Sequence, residues 1–236
     1  MYDCTFHQPA TITITGNTGS GKTTLLSRLI RYRNVMLDKP PKYVVLCYSQ
    51  SQNIYNQLWS EGQIDKLIKG YPSYQSLSEL LKPHKKEGSL LIFDDGLQGI
   101  NEDVTKIFFE LSHHANASCC FVTQNLFYDN SNYRDLSLNT MYLFVMKNPR
   151  NKTQIMTLAR QMSPYKTSGI IESFEKATKE PYCKSVKLYV RIMSVKVWLI
   201  FSALIFIKKH LIQLDYVANI FPDDPEPMKC FLEKSY

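Results

Sequence analysis

The run Gly16-Asn17-Thr18-Gly19-Ser20-Gly21-Lys22-Thr23-Thr24 narrows what this chain can fold into more than any other feature. It fits the pattern G-x-x-x-x-G-K-[ST], whose structural home is the loop between a buried strand and a helix. Upstream, Thr11-Ile12-Thr13-Ile14-Thr15 is β-branched throughout and reads as a short strand. Downstream, the spacing predicts a helix from about Lys22, with Leu25, Leu26, Leu29 and Ile30 on one face. The glycines let the backbone bend around an anion and aim N–H groups at it, with the positive end of the helix behind. Residues 16–24 are therefore the expected cradle of a nucleoside triphosphate, ATP above all. Within it, Lys22 reaches the β- and γ-phosphates and the Thr23 hydroxyl ligates Mg²⁺. A chance Gly-Ser-Thr surface turn is the alternative, and it accounts for neither the strand before nor the helix after.

The rest of the first 180 residues alternates strand and helix, the pattern of a parallel sheet covered on both faces. Tyr43–Tyr48, Ser89–Asp94, Ser118–Thr123 and Met141–Met146 read as further strands. Helices are expected over Glu102–His114, near Thr153–Met162 and over Ile170–Thr178, with shorter helical pieces at Ile64–Ile68 and Leu77–Leu81. In the first of these, Val104, Ile107, Phe108 and Leu111 share one face. At 236 residues and 44% hydrophobic content, the chain has material for one substantial core. Its six cysteines show no C-x-x-C pair, so reduced thiols are expected rather than a zinc site or a disulfide framework. That usage, with no signal peptide at the N-terminus, points to an intracellular protein, in nucleus or cytoplasm. The formal net charge of +7 favours a polyanionic partner.

A phosphate loop alone does not separate a kinase from a switch or a motor. Leu90-Leu91-Ile92-Phe93-Asp94-Asp95 adds a buried strand that ends abruptly in two carboxylates, the Walker B form. They fall at the C-terminal edge of a parallel sheet, where ligands collect. Asp94 is the expected Mg²⁺ holder, through water, and Asp95 the residue that polarises an attacking water. The next strand ends in Thr123-Gln124-Asn125, and either Gln124 or Asn125 is placed to sense a γ-phosphate and orient water. Hydrolysis also needs a cation on the transferring group, often an arginine from a neighbouring subunit. Arg134, Arg150 and Arg160 follow the sensor strand, and Arg134 ranks first because it comes soonest after Gln124.

Taken together, these segments resemble the FtsK–HerA superfamily, and within it the packaging ATPases of poxviruses and of Polinton (Maverick) elements. The likeness extends through Leu111-Ser112-His113-His114, Arg134–Asn139, Leu143–Arg150 and Gln154–Gln161. It covers roughly residues 8 to 182, with a fragment at Asn219–Asp224. The resemblance implies an α/β P-loop NTPase of the RecA-like ASCE type, with a mostly parallel central sheet and helices on both faces. In that arrangement another strand separates the Walker A and Walker B strands. The resemblance further implies a homo-oligomeric ring, commonly a hexamer, that threads double-stranded DNA into a capsid while hydrolysing ATP. Gln124 then takes the sensor position and Arg134 that of the trans-acting arginine. Capsid protein becomes a further partner and the virion a further location.

Residues 183–236 depart from that family. Cys183 to about Leu214 is apolar and lysine-studded, and Val197–Ile207 is almost uninterrupted apolar sequence. A buried strand or helix is the first expectation there. A membrane span is a weaker one, because about 20 apolar residues are needed and extension meets Lys196 and Arg191. Intron or frame-shifted sequence is a further reading. Two function classes besides a DNA motor stay open on the residues alone. One is a nucleoside or nucleotide kinase; the other is a decayed relic that binds nucleotide without turning it over.

Overall fold

The computed structural model describes residues 6–94, 102–127, 136, 139–146, 148, 152–162 and 164–177, with the backbone of four further strands between 188 and 216. Strand β1 (Thr11–Thr15) leads through the glycine loop into helix α1 (Lys22–Arg31) and a short α2 (Arg33–Met36). Strand β2 (Tyr43–Tyr48) is followed by α3 (Asn53–Ser60), β3 (Lys66–Lys69) and α4 (Tyr74–Leu81). Strand β4 (Ser89–Asp94) precedes α5 (Glu102–Lys106), which runs through a π-helical turn (Ile107–Leu111) into α6 (Ser112–His114). Then come β5 (Ala117–Thr123), β6 (Tyr142–Val145), α7 (Lys152–Met162) and α8 (Thr167–Ala177).

Six of these strands form a parallel sheet in the order β3-β2-β4-β5-β1-β6. The sheet-face alternation follows directly from the strand period of two. Leu90 and Ile92 of β4 join Leu25, Leu26, Leu29 and Tyr55 in a core under α1 and α3. Leu91 and Phe93 face the other way, against Leu77, Val104, Ile107 and Phe108. A third cluster sets Leu143 and Val145 of β6 against Ile155, Leu158 and Phe174. Both faces of the sheet are thus covered, which is why β2 and β4 read as nearly continuous apolar runs. Each leucine so buried contributes on the order of 1.5–3 kcal/mol.

The α/β class, the strands at 11–15, 43–48 and 89–94, and the placement of β5 between β1 and β4 all agree with the sequence reading. The expected helical piece at Ile64–Ile68 is wrong. Lys66–Lys69 is instead the edge strand β3, paired in parallel with Val45–Tyr48. In a run that short, the apolar spacing of Ile64, Leu67 and Ile68 does not distinguish helix from strand, and pairing with β2 decides it. Beyond β6 the sheet continues antiparallel through β7 (Leu188–Met193), β8 (Lys196–Ile200), β9 (Ala203–Lys208) and β10 (Leu211–Tyr216). Within the apolar run, residues 197–200 lie on β8 and 203–207 on β9. Among the described residues no helix is long and apolar enough to cross a membrane.

Burial on the sheet sets the chemistry of three thiols. Cys47, Cys119 and Cys120 are buried and free of disulfides. Loss of hydration pushes the Cys47 and Cys119 thiols up from 9.0 to about 12, and raises Cys120 further, with the Asp94 and Cys119 charges adding to burial. The folded chain therefore keeps protons that the unfolded chain gives up, so these groups lower stability as pH rises above about 9. Iodoacetamide at pH 8.5 is expected to leave all three unmodified in the native protein and to label them in urea, read by peptide mass spectrometry. Substituting Phe93, wholly buried against the Tyr71 and Phe121 rings, by alanine is expected to cost about 3–5 kcal/mol in urea unfolding.

Candidate functional site

Because the six strands run in parallel, their C-terminal ends share one edge of the sheet. Thr15 ends β1 opposite Thr123, the last residue of β5, and Asp94 ends β4 beside Val122. The glycine loop, the Gln124 tip and the acidic end of β4 therefore line up side by side, with β5 in the middle. Two strand spacings, about 10 Å, separate β1 from β4. That span accommodates a phosphate chain and a hydrated cation.

The loop is fixed to this edge at its base. The Gly16 N–H donates to the Thr123 carbonyl at 3.1 Å, and the Met146 N–H donates to the Thr15 carbonyl at 2.8 Å. Gly16 packs so closely that a Cβ there would lie 2.5 Å from Met146 Cβ and 2.7 Å from Ser20 Oγ. Gly21 ends the loop at φ 92°, a left-handed conformation that favours glycine. It caps α1 without any side-chain hydrogen bond, and the first turn of α1 carries no acidic residue. The helix thus presents its positive end to the loop uncovered by a carboxylate.

Inside the loop, Asn17 Oδ1 and Ser20 Oγ are buried and have no hydrogen-bond partner. Buried polar atoms of this kind are rare and call for an explanation. The Lys22 ammonium reaches back to the Gly16 and Asn17 carbonyls at 2.7 and 2.9 Å. A cation held over the loop, a close backbone approach at Gly16 and an unsatisfied Ser20 hydroxyl, which can donate, fit a phosphate ligand, whereas Asn17 Oδ1 is an acceptor and fits a donor or a cation instead. Thr23, half-buried on the first turn of α1, and Asp94, buried on β4, supply an oxygen donor set of the kind Mg²⁺ takes. Thr18, Gly19 and Thr24 are exposed along the outer side of the loop and helix.

Asp94 is the most demanding residue of the site. A carboxylate with 4% of its surface exposed needs donors. Its Oδ2 accepts from the Tyr55 hydroxyl and from Gln52 Nε2, the latter at 3.3 Å, and its backbone carbonyl accepts from the Tyr71 hydroxyl at 3.3 Å. Gln52 also lines a cavity of about 590 Å³ that runs along α1, between Thr23, Thr24, Arg28 and Tyr32 on one side and Gln52 and Asn53 on the other. Arg31 closes its rim, forked onto Glu61 at 2.9 to 3.2 Å.

The sensor tip is exposed at Gln124 and half-buried at Asn125. It is anchored by Thr123 Oγ1, which donates to the Asn125 carbonyl at 3.2 Å, and by the Leu126 N–H, which donates to Gln154 Oε1 on α7 at 3.1 Å. Asp95, Arg134 and Arg150 lie outside the described residues. Arg160 is exposed on α7. Gln52, Tyr55 and Gln154 were not singled out from the sequence. The first two gain a role only through the pairing of β2 with β4, which puts the end of β2 on the same ligand-bearing edge.

With this geometry, solved structures can be compared. The chain is similar to the cytoplasmic domain of the type VII secretion ATPase EccC from Thermomonospora curvata, with a TM-score of 0.52 and 11% identity over 91% of this chain and 26% of that one. It is similar too to EssC (ATPases 2 and 3) from Geobacillus thermodenitrificans, with a TM-score of 0.50 and 10% identity over 81% of this chain and 39% of that one. The fold is that of RecA-like P-loop ATPases. At such identities the likeness speaks for the fold alone, and this chain spans well under half of either neighbour. No protein-family model matches the sequence, and no curated protein is significantly similar to it.

Substitution of Gly16 by alanine is expected to displace Ser20 or Met146, at a stability cost of about 1–3 kcal/mol. Binding of a trinitrophenyl adenine nucleotide, followed by fluorescence, should be lost along with it. Binding equal to wild type would show that the loop does not need this close approach.

Proposed function

We propose that this chain is an ATP-driven DNA translocase that packages a viral or virus-like transposon genome, working as an oligomeric ring. The observation that carries the reading is the alignment of phosphate loop, sensor tip and acidic strand end along one sheet edge, with the Lys22 ammonium held over the loop and Ser20 Oγ buried and unsatisfied within it. A surface turn has no need of that arrangement. In this reading residues 8–182 are the ATPase core, and 183–236 are an atypical C-terminal segment.

The loop residues 16–24 hold the triphosphate, and Lys22 swings from the Gly16 and Asn17 carbonyls onto its β- and γ-oxygens. Thr23, and Asp94 through water, would hold Mg²⁺, which would supply charge neutralisation on the triphosphate. Asp95 polarises the attacking water, Gln124 orients it, and Arg134 of a neighbouring subunit stabilises charge on the transferring group. The ring, commonly hexameric in the family the sequence resembles, threads double-stranded DNA and hands it to capsid protein. The net charge of +7 supports a polyanionic partner held by Lys and Arg contacts to phosphates. Work of this kind belongs inside the cell, in nucleus or cytoplasm, with part of the protein carried on the virion.

ATP hydrolysis by the purified chain, with and without double-stranded DNA across a salt series, tests this. Turnover should rise with DNA and fall as salt increases. Lys22→Ala and Asp94→Asn should each lower it about 100-fold or more. Turnover only when a nucleoside is added would replace the motor with a kinase, and nucleotide binding without any turnover would replace it with a relic.

A further inference from the structure

The strand that ends in Asp94 does not by itself decide how that carboxylate faces the loop. Its Oδ2 takes two donors from the segment that follows β2: the Tyr55 hydroxyl and Gln52 Nε2. Tyr55 sits in the first turn of α3, is 1% exposed, and has its ring 5.9 Å from that of Tyr48 at the end of β2. Gln52 precedes the helix in extended backbone (φ −125°, ψ 143°), half-buried, with its side chain on the wall of the cavity beside Thr23. The packed ring of Tyr55 gives its hydroxyl little freedom, and a buried phenol of this kind requires a polar partner.

We infer that Gln52 and Tyr55 are positioning residues for Asp94, setting the orientation in which its carboxylate meets a cation held with Thr23. The inference rests on the nucleotide reading of the site. Two donors arriving from the start of α3 and the residue before it on one oxygen fix the carboxylate plane, which a single bond would leave freer to rotate about the Cβ–Cγ axis. Both of these donors are neutral, so they restrict the carboxylate's rotation without adding a charge of their own beside it. Groups that hydrogen-bond a metal-holding carboxylate in this way typically account for 10- to 100-fold in metal affinity. Gln52 adds a connection of its own, because one side chain touches both Asp94 and the cavity along α1. An occupant of that cavity therefore acts on the carboxylate through a single residue.

The alternative is that Tyr55 only fills the core beneath α3. Tyr55→Phe separates the two roles, since it keeps the ring and removes the hydroxyl. The probe is Mn²⁺, titrated by electron paramagnetic resonance against protein with ADP bound, beside calorimetry of ADP binding in EDTA. Tyr55→Phe should weaken Mn²⁺ binding roughly 10-fold or more, and Gln52→Ala by a smaller factor, with metal-free ADP affinity held within about 2-fold of wild type. Restoring a donor in Gln52→Asn should recover part of the Gln52→Ala loss. Unchanged Mn²⁺ affinity in Tyr55→Phe and Gln52→Ala, or an equal loss of metal-free ADP affinity, would overturn the inference. Should Tyr55→Phe fail to fold, the Gln52 variants read the same quantity at a half-exposed position. Wild-type protein that binds neither ADP nor Mn²⁺ would remove the nucleotide reading and this inference together. Wild-type binding matched by every variant would remove this inference alone.

Discussion

Parallel pairing of β1 with β5 ends at Thr15 and Thr123, and the next donor along, the Gly16 N–H, bonds the Thr123 carbonyl. That bond begins the glycine loop at the sheet edge and binds it to the strand that carries Gln124. Everything else in the site is placed relative to it. Asp94 comes into line because β4 pairs with the other side of β5, and α1 because the loop is too short to send it elsewhere. The close contact of Gly16 with Met146, just past the end of β6, holds the loop from its second side. The chemistry is therefore mounted directly on hydrogen-bonded strand ends of the central sheet.

A buried edge of this kind concentrates polar groups where the protein can least hydrate them. Asp94 is accommodated by Tyr55 and Gln52, while Asn17 Oδ1 and Ser20 Oγ have no protein partner at all. Each unsatisfied group costs about 1–3 kcal/mol. A binding site that trades such groups against a ligand gains that energy back when the ligand enters. Of these two loop atoms the Ser20 hydroxyl can donate to an anion, while Asn17 Oδ1 accepts only.

Much of this was legible in the sequence because local pattern and tertiary role coincide. The strands at 43–48 and 89–94 are apolar on both faces, since helices cover both sides of the sheet, while the strand at 11–15 was legible from its β-branched Thr-Ile alternation, buried throughout. The face of Val104, Ile107, Phe108 and Leu111 was visible as helical spacing, although the π-helical turn in its middle was not. Edge strand β3 was misread because its Lys-Leu-Ile-Lys carries no period long enough to separate helix from strand. Gln52 and Tyr55 escaped notice for another reason. A single glutamine and tyrosine mean nothing until β2 pairs with β4 and brings the end of one strand beside the carboxylate of the other. Spacing along the chain carries no record of that pairing.

Whether the loop holds a triphosphate is the point on which the rest turns. Isothermal titration calorimetry of the slowly hydrolysed analogue ATPγS with Mg²⁺, on wild-type protein and on a Lys22→Met variant of unchanged melting temperature, addresses it directly. One molecule bound per chain by the wild type, with binding lost or weakened at least about 100-fold in the variant, is the expected result. No binding to the wild type, or equal binding to both, would contradict a phosphate site at Lys22.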